Sequence, residues 1–240
     1  MSTLFISDLH LDAALPELTS LFVQFMREQA PSAEALYILG DLFEAWVGDD
    51  DFRPGTQVFV DELRRLSDSG TPLYVMHGNR DFLLAEKFTE RTGCTLLPEP
   101  SVIDLYGTAT LLLHGDSLCT DDVKHQESRA LLRSEDWKQR FLSQTLEDRI
   151  EQAREYRNMS RMHLKDAPDA IMDVNTDTVV DMMQQYNVQQ MIHGHTHRPA
   201  IHPLSVNEQP AKRIVLGDWN SHGSVLHCDA SGCQLESFTL

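Results

Sequence analysis

The sequence predicts an α/β fold: a β-sandwich of two sheets flanked by helices, in αββα layers, with a helical insertion. Three observations predict it. Short apolar runs recur along the chain, each closed by polar or turn residues. Apolar residues at helical spacing fill the gaps between the first three runs. One long stretch, residues 124–165, carries no strand signal.

In order, Leu4-Phe5-Ile6 runs into Ser7-Asp8-Leu9-His10, followed by Leu18, Leu21, Phe22, Phe25 and Met26 at three- and four-residue spacing. Ala35 to Leu39 runs into Gly40-Asp41, and Val58, Phe59, Leu63 and Leu66 repeat the helical spacing. Leu73 to Met76 runs into His77-Gly78-Asn79-Arg80-Asp81. Leu111 to Leu113 runs into His114-Gly115-Asp116, and Met191-Ile192 into His193-Gly194-His195-Thr196-His197. Short apolar runs bounded by turn residues are buried strands, and apolar residues three and four apart share one helix face. Their alternation specifies parallel strands with crossover helices. Arg213 to Leu216, Ser224 to His227 and Gln234 to Phe238 read as closing strands, which implies the second sheet.

The 124–165 stretch differs from its surroundings. Leu142, Leu146, Ile150 and Ala153 fall at helical spacing, and ten of the 20 Lys+Arg lie there against seven acids. The segment is therefore +3 and the remainder −20. A charge run alone is usually a solvated helix face. Its place between two histidine motifs favours a functional cap. The expected organisation is one domain over 1–240 with a cap, or lid, over 124–165.

Composition excludes several function classes. With 20 Lys+Arg against 37 Asp+Glu the chain is −17, a poor sequence-independent binder of nucleic acid, since phosphate contacts need surplus base. No apolar run approaches the roughly 18 residues of a membrane span. The start, MSTLFISDLH, has no basic segment before its apolar one and meets Asp8 early, so a signal peptide is not expected. Cys94, Cys119, Cys228 and Cys233 form no C-x-x-C pair. Free thiols are the expectation, with Cys228 and Cys233 able to pair only across a C-terminal hairpin.

Asp8, His10, Asp41, Asn79, His114, His195 and His197 each closely follow a predicted strand. Ligands gather beyond the carboxyl ends of strands in α/β sheets. Two carboxylates, four imidazoles and one amide, without thiolate, suit Mn²⁺, Fe²⁺ or Zn²⁺ more than Ca²⁺. Seven such groups exceed one ion's usual protein complement, and two ions sharing a carboxylate would use them. A lone D-x-H or G-D carries almost no information; all five motifs in this order carry a great deal.

In that order the motifs resemble the calcineurin-like metallophosphoesterase superfamily. Protein phosphatases and symmetrical diadenosine tetraphosphatases of that superfamily carry Asp-Arg-Gly shortly after the Gly-Asp step, where this chain has Leu42-Phe43-Glu44-Ala45-Trp46. YILGDLFEAWVGDD, HGNRDFLL, HGDSLCTDD and HGHTHRPA are instead similar to the diphosphatase family that splits UDP-2,3-diacylglucosamine in lipid A biosynthesis. The likeness runs from residue 3 to about residue 219, and is looser in the cap.

The resemblance implies two Mn²⁺, one held by Asp8, His10, Asp41 and His197, the other by Asp41, Asn79, His114 and His195, with Asp41 bridging. Asp81 and Asp116 would orient ligands. Arg80 and His195 would stabilise charge on the phosphoryl oxygens. Asn79, Arg80, Asp122, Arg157, Ser160, Lys165 and His195 would contact a lipid-linked nucleotide sugar. The family's lysine two residues beyond Lys165 is Ala167 here, and Leu164 stands where relatives often have a polar group. The implied location is peripheral, on the cytoplasmic face of the inner membrane, with no nucleic acid and no protein partner.

Blander readings stand beside these. His77 and His193 are expected to make structural hydrogen bonds, Trp46 and Trp219 to pack, and His125 to lie at the surface. Two rivals compete with a lipid-directed diphosphatase: a phosphoesterase for soluble phosphodiesters, and a scaffold that kept the fold but lost catalysis. An apolar groove under the cap argues against the first, and the complete set of seven donors against the second.

Overall fold

A computed structural model describes residues 2–166 and 173–239, apart from the side chains at 161 and 163–166. The first layer of elements is β1 (Thr3–Ile6), α1 (Pro16–Glu28), β2 (Ala35–Leu39), α2 (Pro54–Asp68), β3 (Leu73–Met76), α3 (Glu86–Thr92) and β4 (Thr95–Leu97). Then come β5 (Ser101–Leu105), β6 (Thr108–Leu112), α4 (Val123–Leu132), α5 (Glu135–Leu142) and α6 (Leu146–Asp166). The chain closes with α7 (Thr176–Gln185), β7 (Gln190–His193), β8 (Ala200–Val206), β9 (Gln209–Val215), β10 (Gly223–Asp229) and β11 (Gly232–Phe238).

Two sheets result, ordered β11-β10-β1-β2-β3-β4 and β5-β6-β7-β9-β8. β1 to β4 pair in parallel, as do β6, β7 and β9, while β5, β8, β10 and β11 are antiparallel additions. The period-two pleat sorts the side chains. Phe5 points between the sheets with Leu39, Met76, Ile192, Ile214 and Leu226. Leu4 and Ile6 point the other way, against Phe22 and Phe25 of α1 and Phe59 of α2. Leu111 and Leu113 pack outward on Val179 and Met183 of α7. The expected αββα sandwich is therefore the observed one.

Local chemistry starts the helices. Pro16 and Pro54 stand in the first turns of α1 and α2, where a missing N–H costs nothing. Asp122, Ser134 and Asn175 cap α4, α5 and α7 by accepting from the amides of His125, Trp137 and Thr178.

The helical insertion consists of three helices, α4, α5 and α6. The Leu142–Ala153 spacing is interrupted between α5 and α6, where Leu142 ends one helix and Leu146 begins the next. It docks through Trp137, which stacks on Phe141 at 4.6 Å and tilts against Phe82 at 5.8 Å. Arg149, buried, donates to the Val47 carbonyl at 2.7 Å and to Asp50 Oδ1 at 2.8 Å. No helix among the described residues is long and apolar enough to cross a membrane.

Two further differences from expectation concern β-structure and thiols. β4, β5 and β8 carry weak apolar signals, because the last two expose every second residue and β4 is three residues long. Cys228 and Cys233 are directly opposite in the β10–β11 hairpin and form a disulfide, so the free-thiol expectation holds only for buried Cys94 and Cys119. Opposition across an antiparallel pair brings the two side chains together, the hairpin pairing that the sequence left as the alternative to free thiols.

Candidate metal centre

The strand ends are bent so that alternate side chains turn to one place. Asp8, His10, Asp41, His195 and His197 have left-handed backbone, with φ of 55°, 47°, 50°, 68° and 54°. Five of the seven candidate ligands thus sit where L-residues seldom do, and such strain concentrates at functional sites. The loops are laced to hold it. The amides of Asp8, His10 and Leu11 donate to the carbonyls of Gly40, Asp41 and Leu42 at 3.1, 3.0 and 2.9 Å. Asp8 Oδ2 accepts the His195 amide at 2.8 Å, tying β1 to the loop after β7. Two glycines are sterically required: a Cβ on Gly78 would strike Asp41 Oδ1 and its amide, and one on Gly194 would strike Asp8 Oδ2.

The candidate ligands converge. Asp41 faces both ways, with Oδ2 3.9 Å from His10 Nε2 and Oδ1 3.8 Å from His114 Nε2. His197 Nε2 lies 3.4 Å from His10 Nε2 and 3.3 Å from Asp8 Oδ1. His114 Nε2 meets Asn79 Oδ1 at 3.0 Å, and the His114 and His195 rings are 5.0 Å apart. Donor atoms of Asp8, His10 and His197 lie within 4.8 Å of one another, and so do those of Asp8, Asp41 and His114. Asp8 therefore touches both sets, a sharing that the sequence did not indicate, while Asp41 belongs to one set and turns its other oxygen toward His10.

The electrostatics call for cations. Burial opposes charge on His114, yet Asp41, Asp8, Asp116 and Glu99 around it push its pKa up to about 9. Burial would raise the Asp8 carboxyl, but its bond to His197 and the nearby His114 and His10 hold it well below the usual carboxylate range. Burial, and then Asp41, push Asp81 up to about 7. Asp8 Oδ1 and His10 Nδ1 are buried with only long contacts, to His197 Nε2 at 3.3 Å and Glu44 Oε2 at 3.5 Å. Oxygen and nitrogen donors so loosely engaged inside a surplus of carboxylate fit divalent cations with mixed N/O ligands.

Behind the donors lies a supporting shell. Asp81 accepts the amides of Gly78 and Leu42, both at 2.7 Å, fixing the two loops that carry Asn79 and Asp41. Asp116 accepts Arg129 Nε at 2.8 Å and Arg133 at 3.1 Å from α4 and its C-cap. Glu99 was not anticipated: its Oε1 accepts the His114 amide at 2.8 Å. Nor was His125, which is half-buried and stacks on His195 with centroids 5.3 Å apart, against the surface position expected for it. A histidine in the first turn of a helix beginning just after His114-Gly115-Asp116 was the available signal. His77 and His193 make the structural bonds expected, to the Leu84 carbonyl at 2.7 Å and the Gly194 carbonyl at 2.8 Å. Trp46 and Trp219 are buried packing residues.

The remaining sequence-selected residues form a second arc. The Arg80 amide donates to Asp41 Oδ1 at 2.8 Å, and its Nε is buried without a hydrogen bond. Arg157 pairs with Glu44 at 3.4 Å, and Glu44 reaches His10 Nδ1 at 3.5 Å. Ser160, half-buried, lies one turn beyond Arg157 on α6. Asp122 caps α4, as above. Lys165 is in the last turn of α6; its side chain, that of Leu164, and Ala167 lie outside the described residues. Beside His10 opens a cavity of about 310 Å³, with Leu11, Phe43 and Phe59 from the core, Ile150 from α6, and the charged Glu44, Arg53 and Arg157 in its walls.

Comparison with known proteins gives the family and the fold. A family model described as calcineurin-like phosphoesterase matches residues 1–199. A Stenotrophomonas maltophilia (strain K279a) protein named UDP-2,3-diacylglucosamine hydrolase is 51% identical over 244 residues, covering 99% of this chain and 98% of its own. Proteins of the same name from Pseudomonas aeruginosa (strain UCBPP-PA14) and Cellvibrio japonicus (strain Ueda107) are 50% and 46% identical, each covering 100% of both chains. Among solved structures, an archaeal phosphodiesterase superposes with a TM-score of 0.50 at 12% identity over 100% of both chains, which speaks to the fold alone.

Proposed function

This chain belongs to the calcineurin-like phosphoesterase family, and on that premise we propose that it hydrolyses the diphosphate bond of UDP-2,3-diacylglucosamine. The products are UMP and 2,3-diacylglucosamine 1-phosphate (lipid X), a step of lipid A biosynthesis. The observation that carries the reading is a juxtaposition: paired acid–imidazole donor sets lie next to a cavity that has both apolar and charged walls and is bounded partly by the inserted helix α6. The shared name of relatives 46% to 51% identical over nearly their whole length supports the substrate.

In this reading Asp8, His10, Asp41 and His197 hold one Mn²⁺ and Asp41, Asn79, His114 and His195 the other. Such cations supply Lewis acidity toward phosphoryl oxygens and acidify water. Everything else falls to the chain. Arg80, anchored by its amide on Asp41, brings a guanidinium to the non-bridging oxygens. His195, held between the His114 and His125 rings, donates a hydrogen bond to the same phosphoryl group. Asn79, Asp122, Arg157, Ser160 and Lys165 contact the nucleotide sugar. The leaving group is a phosphate with a second pKa near ~6, so it departs without a strong general acid. Arg80 after Asn79, where several phosphoesterase relatives carry a candidate acid histidine, suits that leaving group.

The acyl chains lie against the cavity wall, each buried CH₂ contributing about 0.8 kcal/mol. The insert, 124–165, acts as the cap of a single 1–240 domain. Its exposed Leu131, Leu142 and Met159, on a segment of net charge +3, dock the protein peripherally on the cytoplasmic face of the inner membrane.

The test is metal-free protein with or without Mn²⁺, given UDP-2,3-diacylglucosamine or unacylated UDP-N-acetylglucosamine, with products identified by mass. UMP released from the acylated substrate alone, and with metal alone, is the expected result. Equal turnover of both substrates overturns the lipid assignment.

A further inference from the structure

The two halves of the centre are supported differently. Under Asn79 and His114 lies a closed ion cluster of two acids and two arginines. Asp116 Oδ2 takes Arg129 Nε at 2.8 Å and Arg133 at 3.1 Å. Glu99 Oε2 takes Arg129 at 3.3 Å and Arg133 at 3.4 Å. Both carboxylates are buried, at 0% and 7% side-chain exposure, and the arginines come from the insert, Arg129 within α4 and Arg133 at its C-cap.

The cluster ends on the ligand loops. Glu99 Oε1 accepts the His114 amide at 2.8 Å, and Arg133 donates to the Gly78 carbonyl, next to Asn79, at 3.1 Å. Two positive and two negative groups cancel, so the cluster adds no net charge to the donor cavity. On the other half, among the described residues, the insert reaches His10 indirectly, through the Arg157–Glu44 pair.

We infer that Arg133, with Arg129 and Glu99, is a positioning unit through which the insert holds Asn79 and His114 in ligating geometry. Occupancy of that half of the centre then depends on the insert, and occupancy of the Asp8, His10, His197 half does not. The inference rests on the reading that the centre holds two cations.

Mn²⁺ titration of the full chain by calorimetry, with low-temperature electron paramagnetic resonance, tests it. Wild type should bind two Mn²⁺ with an exchange-coupled signal. Arg133→Met should keep one site at wild-type affinity, weaken the other about 10- to 100-fold, and show the signal of isolated Mn²⁺. Arg133→Lys, which keeps the charge but loses the fork that reaches several acceptors, should lie between. Glu99→Gln should also weaken one site only. Arg154→Met, removing an exposed pair with Glu151 on α6, should change neither.

Two coupled sites of wild-type affinity in Arg133→Met overturn the inference, as does equal weakening of both sites together with a fallen melting temperature. If Arg133→Met does not fold, Arg133→Lys and Glu99→Gln decide by the same criterion. Wild type binding fewer than two Mn²⁺ overturns the two-cation reading itself, an outcome distinct from both.

Discussion

The Asp8–His10–His197 half of the site faces outward, with 20% and 38% side-chain exposure of its two imidazoles, whereas His114 in the other half is fully buried. The outer half is steadied by peripheral acids: Glu44 near His10 at 3.5 Å and Asp218 near His197 at 3.6 Å. The inner half is fixed by buried carboxylates and insert arginines. Exposed ion pairs contribute about 0 to 1 kcal/mol, while removing one partner of a buried pair costs about 3 to 5. One half is thus accessible and readily screened, and the other is pre-organised at the expense of desolvation.

The largest effect expected to test that contrast comes from Asp41→Ala, because Asp41 faces both halves. Metal-dependent turnover should fall well beyond the roughly 10- to 100-fold typical of outer-sphere partners. Retained turnover would break the idea of a shared carboxylate. Next, His114→Ala and His197→Ala should separate in metal-free protein. The first leaves buried Asp41 and Asp8 facing one another and should cost about 3 to 5 kcal/mol by denaturant unfolding. The second, which removes the partner of buried Asp8 from a half-exposed position, should cost less, about 1 to 3 kcal/mol; equal losses would erase the distinction between halves. Glu44→Gln should be smaller still in stability, within about 1 kcal/mol, and its effect should vanish at high salt.

The smallest effect is a pH step in the insert. The hydrogen bond from Arg149 holds the Asp50 carboxyl below its ordinary value of 3.8, with burial opposing. The folded value is lowered, so the tether is complete above pH 3.8 and is lost as pH falls through the depressed value. Hydrogen exchange in α6 should rise over that acid window, and Asp50→Asn should remove the step. An unchanged α6 profile would mean that Trp137 packing alone holds the insert.

Much of this was legible in the linear chain. Leu4-Phe5-Ile6 or Ala35 to Leu39 are buried on both faces, so continuous apolarity marks them. The D-x-H, G-D, G-N and G-H-T-H steps stand at strand ends, where the fold must present them. β5 and β8 were illegible because they expose every second residue and read as polar loops. Glu99 was illegible for another reason: its partners His114, Arg129 and Arg133 lie 15 to 34 residues away, and nothing local marks it. The left-handed backbone at Asp8, His10 and Asp41 was equally hidden, since it is imposed by the lacing of two loops and not by glycine or asparagine in the sequence.

The order β11-β10-β1-β2 has a consequence for how the molecule comes into being. β1 is an interior strand, yet one of its two neighbours is supplied only once the chain beyond Gly223 is made. Until then the nascent first half presents Thr3–Ile6 as an open, apolar edge, the kind that recruits foreign strands. Closing it is a contact of very long sequence separation, which slows folding and lengthens that exposure. The burden on chaperones should therefore fall during synthesis, before β10 zips onto β1, and truncations upstream of β10 should aggregate even though every helix of α1 to α7 is present.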